Sequence, residues 1–330
     1  MKRIPILICI DIEPEERRID PQLRAGWTGF ERSYEFFTHL RPRLSSATGS
    51  PVHFSWFLRM DPQIACTYGS PEWVVTRYPQ LFENLAAAGD EFGLHVHPWR
   101  WDEKSKDWIA DFEDQEWIEH CITSSFDAFH RSLNRPCQSF RFGDHWMNNV
   151  TLDLLERLGV RFDLTLEPGQ RGPTLLPDES FRGFFSDYSR IPRLPYYPDK
   201  ADFTKPSQRR SRELCIIPTS AGDASWIPTE LGSLEGYLTL NLGFHWSVCS
   251  SIMDTLLAVF GEPYVVLVAR TNVASDPNLR VSLKQNVDYL LSQPLLKTFS
   301  FETPAEAMQR LTPDSNFCGL RTPKKVTNAT

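Results

Sequence analysis

Short apolar runs alternate along the chain with longer stretches in which apolar residues recur every three or four positions. The runs Ile4–Ile10, Val52–Leu58, Glu91–Val96, Ser139–Phe142, Val160–Thr165, Leu214–Pro218, Tyr264–Ala269 and Thr298–Phe301 predict strands. Between them Glu31–Leu44, with Tyr34, Phe37 and Leu40 at helical spacing, predicts a helix. So do Glu72–Ala88, Glu116–Leu133, Thr151–Leu158, Ser247–Phe260 and Val281–Leu291. Gly89 and Gly159 supply stops, and Thr303 an N-cap for a short last helix. Repeated strand–helix units imply a parallel sheet, and about eight of them favour an α/β barrel of about seven to eight strands over an open sheet.

The 330 residues suffice for one large barrel, and a hydrophobic fraction of 41% with 22 Phe and 10 Trp supports a substantial core. Residues 1–311 are expected to form a single barrel domain, with 312–330 a frayed tail. The stretch Pro168–Arg212 is rich in Pro and Arg and poor in helical periodicity. It predicts an excursion over the barrel mouth. Its aromatics (Phe181, Phe184, Phe185, Tyr188, Tyr196 and Tyr197) suit either a sugar-binding surface or a loop packed on itself.

A net charge of −7 argues against a nucleic-acid partner, and the basic cluster Lys205–Arg212 reads as a solvated loop. Seven scattered cysteines without a CxxC pair read as buried reduced thiols, hence a cytoplasmic protein. The run Ile4–Ile10 is too short for a leader, Pro5 interrupts it, and acidic residues follow it. No apolar stretch reaches membrane-spanning length.

Two strand ends carry the candidate chemistry. Asp11 and Glu13 close the first run, and His95 and His97 close the third. In a strand, residues i and i+2 point to the same side. Two carboxylates and two neutral imidazoles could therefore converge on one divalent ion, most simply Zn2+, with Ni2+, Co2+ or Fe2+ as alternatives. Arg141, Thr165, Ser220 and Thr271 also fall at strand C-terminal ends, where barrel active sites are built.

The order of these motifs resembles the polysaccharide deacetylase, or NodB-homology, family over roughly Ile4 to Met308. Gly89-Asp90-Glu91-Phe92-Gly93-Leu94-His95 is similar to the family's histidine phrase, and Phe140-Arg141-Phe142-Gly143 to its arginine motif. The resemblance implies a distorted (β/α) barrel and metal-dependent removal of an N-acetyl group from a carbohydrate. It also implies Asp11 as general base, Glu13 and His95 as metal ligands, and Arg141 as the group orienting the base. The family's second histidine position is Trp99 here, so His97 is expected to replace it. The strand that normally ends in a catalytic histidine ends in Arg270-Thr271, which leaves His245, His145 or no residue at all as the general acid. Trp99, Trp146, Asp187 and Arg270 are the expected substrate contacts, and the sequence leaves the oligomeric state open. Two other readings stand beside this one: a non-catalytic glycan- or metabolite-binding relative, and a metal-free glycoside hydrolase using Asp11 with Asp187.

Overall fold

The computed structural model describes residues 3–19, 26–170, 181–184, 187–223, 228–229, 232–233, 237–257 and 264–311. The expected tail, Phe185 and Cys318 lie outside the described residues. The strands are β1 (Ile4–Ile12), β2 (Ser55–Leu58), β3 (Glu91–Val96), β4 (Trp99–Asp102), β5 (Asp107–Asp111), β6 (Ser139–Phe142), β7 (Phe162–Asp163), β8 (Phe181–Arg182), β9 (Cys215–Ile216), β10 (Ala221–Asp223), β11 (Pro228–Thr229), β12 (Gly232–Ser233), β13 (Tyr237–Thr239), β14 (Val265–Arg270) and β15 (Phe299–Phe301). The helices are α1 (Thr28–Thr48), α2 (Pro62–Tyr68), α3 (Trp73–Arg77), α4 (Pro79–Ala87), α5 (Gln115–Leu133), α6 (Asn149–Arg157), α7 (Trp246–Thr255), α8 (Pro277–Leu291) and α9 (Pro304–Arg310).

The principal sheet is parallel and runs β14–β1–β2–β3–β6–β7–β9, with β15 against the start of β1. Both faces of β1 are buried, which is why it reads as an unbroken apolar run. Alternation sorts its side chains. Ile6, Ile8, Ile10 and Ile12 pack beneath the helices with Phe30, Phe37 and Ile118. Leu7 and Cys9 face the barrel interior with Phe57, Leu164, Ile217, Tyr264 and Val266, and Ala307 and Met308 of α9 pack against that cluster.

Closure between β9 and β14 uses side chains and irregular backbone. Tyr264 donates its hydroxyl to Pro218 O at 2.9 Å, and Val266 N donates to Ser220 Oγ at 3.0 Å. The segment after β13 then pairs with β14, Val268 N donating to Leu240 O at 3.0 Å and Leu242 N to Val268 O at 2.8 Å. The barrel is therefore distorted, as expected.

Three local outcomes differ from the sequence reading. The helix expected over Glu72–Ala88 breaks into α3 and α4 at Tyr78, because Pro79 has no N–H to donate and disfavours helical geometry in the residue before it. The helix α2, unassigned from sequence, starts with Pro62 at its first position, the one place a helix accepts proline freely. The hairpin β4–β5, also unassigned, adds β8 to make a small separate sheet.

Within the excursion, Tyr188 and Tyr196 are buried and Phe184 is exposed. Tyr196 pairs antiparallel with Ile216 and so covers the β9 edge. The basic cluster is only partly solvated: Arg212 is 1% exposed and reaches Asp153 and Glu156 of α6. Cys9, Cys121, Cys137, Cys215 and Cys249 are buried free thiols, whereas Cys66 is exposed. Among the described residues, no helix is long and apolar enough to cross a membrane.

Candidate active site

Asp11 and Glu13 continue the interior face of β1 two and four residues beyond Cys9, at the C-terminal end of the sheet. Glu13 is fixed through its backbone: its N donates to Thr271 Oγ1 at 3.0 Å and its carbonyl accepts from the same hydroxyl at 2.9 Å. Arg141, on the interior face of β6, donates from Nε to both Asp11 oxygens at 3.2 and 3.1 Å and from Nη1 to Leu164 O at 3.0 Å. Burial opposes the charge on Arg141, but the Asp11 carboxylate outweighs it and raises the guanidinium pKa.

His95 and His97 lie on the same side of the third strand's end, with their Nε2 atoms 3.0 Å apart. Their partners fix the tautomers. His95 Nδ1 donates to Arg141 O at 2.9 Å, and His97 Nδ1 donates to Asp144 Oδ2 at 3.2 Å. With both Nδ1 atoms so engaged, the two Nε2 atoms face each other, an arrangement that a shared cation fits. Burial pushes the His95 pKa well below its ordinary value, and His97, Arg141 and Arg59 push the same way against Glu13. His95 is thus a neutral, ligand-ready imidazole at neutral pH. Its Nε2 lies 3.9 Å from Asp11 Oδ2 and 4.0 Å from Glu13 Oε2.

Glu13, His95 and His97 each offer one ligand atom, and these atoms lie within 4.8 Å of one another. Two imidazoles and a carboxylate form a donor set that suits zinc with an open position, or iron(II). The residues present therefore fit a divalent ion.

The turn after β6 serves this cluster. Asp144 and His145 both adopt left-handed backbone, at φ 57° and 56°, unusual for consecutive non-glycine residues. A Cβ at Gly143 would come within 2.3 Å of the His97 ring, so only glycine allows that approach. The turn sends Asp144 to His97 and Arg17, and His145 to Thr165 and Glu167. Burial raises the Asp144 pKa, but His97 and Arg17 outweigh it and hold the carboxyl well below the usual range. His145 donates from Nδ1 to Thr165 O at 3.0 Å, and its Nε2 lies 3.6 Å from Glu167 Oε2.

Asp11, Glu13, His95, His97 and Arg141 thus come together, with His145 on an adjoining turn. His245 is placed elsewhere: it is exposed and caps α7 through Ser247. Trp99 is 1% exposed, stacked on His97 with Arg17 over its ring, and Trp146 is 4% exposed, stacked on Phe112. Neither lies open to a sugar face. Asp187 is exposed and accepts from Ser189 N, holding its own turn. Arg270 is exposed at the end of β14, in register with Asp11. Thr165 and Ser220 tie strands together through their hydroxyls.

Sequence reasoning passed over Asp144, Glu167, Arg59 and Asp61. Arg59 is buried and bidentate to Asp61 at 2.8 and 2.9 Å, and Asp61 Oδ2 accepts from His97 N at 3.3 Å. The charge pair closing the apolar run of β2 was the same signal that singled out Asp11 and Glu13.

No family model matches the sequence, and no curated protein does. Solved structures do share its architecture. A Mycobacterium smegmatis protein assigned as a polysaccharide deacetylase aligns over 100% of this chain and 95% of its own, at 14% identity and a TM-score of 0.50. The fold is the NodB-type barrel. A glycoside hydrolase/deacetylase from Parabacteroides distasonis also aligns, over 95% of this chain and 68% of its own, at 12% identity and a TM-score of 0.50. At such identities the likeness carries the NodB-type fold alone, and the chemistry rests on the side chains.

Proposed function

We propose that the chain is a metal-dependent amide hydrolase that removes the N-acetyl group of an acetamido sugar or polysaccharide precursor. The observation that carries this reading is the buried Glu13–His95–His97 donor set beside the Asp11–Arg141 pair at the C-terminal mouth of the barrel. Glu13, His95 and His97 hold a divalent ion, Zn2+ or alternatively Ni2+, Co2+ or Fe2+, which when bound supplies a water of lowered pKa and a polarised carbonyl. Asp11, oriented by the Arg141 fork, accepts the proton of the attacking water. The Nδ1 protons of His95 and His97 are committed to Arg141 O and Asp144, which leaves their Nε2 atoms as the donors that would hold the ion. His145, facing Glu167, donates a proton to the departing amine; the placement of His245 at an exposed helix cap supports His145 over it. The reading extends to a cytoplasmic location, supported by buried thiols without disulfide partners.

The test is acetate release from N-acetylated chitooligosaccharides by zinc-loaded protein, with loss of at least ~100-fold in Asp11→Asn. Protein that retains no divalent ion and releases no acetate sinks the proposal. One feature favours a second reading, a non-catalytic glycan binder: β14 ends in Arg270 where the resemblance expects a histidine. That reading predicts zinc retention and sugar binding without acetate release.

A further inference from the structure

A cavity of about 260 Å³ opens at the end of the barrel opposite the proposed metal donors. There β15 lies beside the start of β1, Ile4 pairing with Phe299 and Ile6 with Phe301. Phe301 packs with Ile6 in the helix-side core, so Ser300 and Glu302 project from the other face. These two form the floor of the cavity, at 3% and 5% exposure. His53, on the loop before β2, lines one wall, and Glu306 and Arg310 of α9 line the other.

Wall and floor differ in how their polar groups are met. Glu306 accepts from His53 Nδ1 at 2.8 and 2.9 Å and from Thr303 N at 2.9 Å. On the floor, neither oxygen of Glu302 nor the Ser300 hydroxyl has a hydrogen-bond partner among the described residues. Arg310 Nε stands 3.1 Å from Glu302 Oε1 but outside hydrogen-bonding direction, so it balances charge without satisfying either oxygen. A buried carboxylate that accepts no hydrogen bond is costly, and what it lacks is N–H or O–H donors. Two carboxylates, Glu302 and Glu306, against one guanidinium make the cavity acidic. Among the described residues, only Glu13, His95 and His97 bring their ligand atoms close enough together to chelate an ion. The cavity therefore suits an organic cation over a metal. Its volume lies just under the ~300–1,000 Å³ of drug-sized sites, so its occupant is small.

We infer that this cavity binds a small compound bearing a primary ammonium group. The ammonium takes the place of Arg310 at Glu302, its three donors shared among the carboxylate oxygens and Ser300 Oγ. The Glu302 oxygens are buried, so a neighbour must move to admit it. Arg310 is that neighbour: it is the last residue of α9, and its side chain is half exposed and free to swing into solvent. The inference goes beyond the deacetylase reading and does not rest on it.

The experiment is a binding comparison by calorimetry and saturation-transfer NMR on the zinc-loaded full chain, at neutral pH and low salt. The probes are ethanolamine and glucosamine, each set against its neutral twin, ethylene glycol and glucose. At least one amine is expected to bind about 10-fold tighter than its twin, as for a charge-assisted hydrogen bond. Glu302→Gln should erase that preference, and Ser300→Ala should reduce it, with circular dichroism confirming the fold of each. Arg310→Gln should strengthen amine binding by up to about 5-fold, the worth of an exposed ion pair, because the competing guanidinium is gone. Equal binding of amines and twins overturns the inference. So does a preference that survives Glu302→Gln, which would put the amine elsewhere, or amine binding that weakens in Arg310→Gln. If Glu302→Gln fails to fold, Ser300→Ala decides in its place, and an unaltered preference there overturns the inference. Amine preference without acetate release leaves the cavity standing and removes the deacetylase. Acetate release without amine preference does the reverse.

Discussion

Cys9 and Asp11 lie two residues apart on one face of β1, and the barrel interior changes character between them. Below, Leu7, Cys9, Tyr264 and Val266 belong to an apolar plug against which Ala307 and Met308 of α9 pack. Above, the C-terminal ends of β1, β3 and β6 present Asp11, Glu13, His95 and Arg141. The lower region gains stability from excluding water and filling space. The upper region places buried charges against one another and must satisfy each of them. A strand that serves as scaffold at one residue becomes chemistry at the next residue of the same parity. Substitutions on either side of the boundary should therefore fail in opposite ways.

The largest effect is expected at the proposed ligands. Glu13→Gln, His95→Ala and His97→Ala should each weaken zinc binding by more than the ~10–100-fold typical of outer partners, with the fold retained. Calorimetric titration with zinc, together with circular dichroism, reads both quantities. Full zinc occupancy in His97→Ala would remove it from the ligand set and leave it a packed strand-end histidine. Below the boundary, Leu7→Ala should do the converse. Leu7 is wholly buried, and emptying its site should cost about 2–5 kcal/mol of stability in urea unfolding. Zinc affinity of the fraction still folded should hold; a parallel collapse of metal binding would mean that plug and site are not separable.

A smaller effect is expected at Asp144, which touches the site through His97 alone among the proposed ligands. Asp144→Asn keeps the shape but offers a weaker acceptor to His97 Nδ1, so zinc binding should fall by about 10–100-fold. Unaltered zinc affinity would show that the strained turn at Asp144 and His145 serves something other than His97.

The contrast between the two regions also explains what could be read from sequence. The plug and its strands were legible because burial on both faces leaves unbroken apolar runs, and β3 and β6 match their expected bounds. Asp11, Glu13, His95 and His97 were legible because a polar pair at same-side spacing ending such a run is costly without a purpose. Asp144 and Glu167 were not. Their roles depend on a left-handed turn and on a loop beyond β7, and neither leaves a periodic trace. Trp99 and Trp146 misled for a related reason: composition marks a tryptophan as able to stack on sugar, but only packing tells whether its face is open. The split of α3 from α4 was carried by Pro79, a local signal outweighed by helical periodicity over the longer window.

The smallest expected effect tests how much cost the polar region leaves uncompensated. Asp163 is fully buried beside Arg141's strand and accepts from Thr165 N at 3.2 Å and Thr165 Oγ1 at 2.8 Å. Burial pushes its pKa up to about 7, against the pull of the Thr165 hydrogen bonds and Arg141. An ordinary aspartate in the unfolded chain titrates near ~3.9. The folded state therefore binds a proton more tightly than the unfolded state. The resulting stability is fully present below about pH 4 and is lost as pH rises through about 7. Asparagine at this position cannot ionise, and its Oδ1 can still accept one of the two Thr165 bonds. Asp163→Asn should thus melt higher than the native protein at pH 8, by about 2–3 °C, and should lose that advantage at pH 5. Thermal melts at the two pH values decide it: an advantage of equal size at both would mean that Asp163 stays ionised in the folded barrel, its charge supported by Arg141 as the Asp11 carboxylate is.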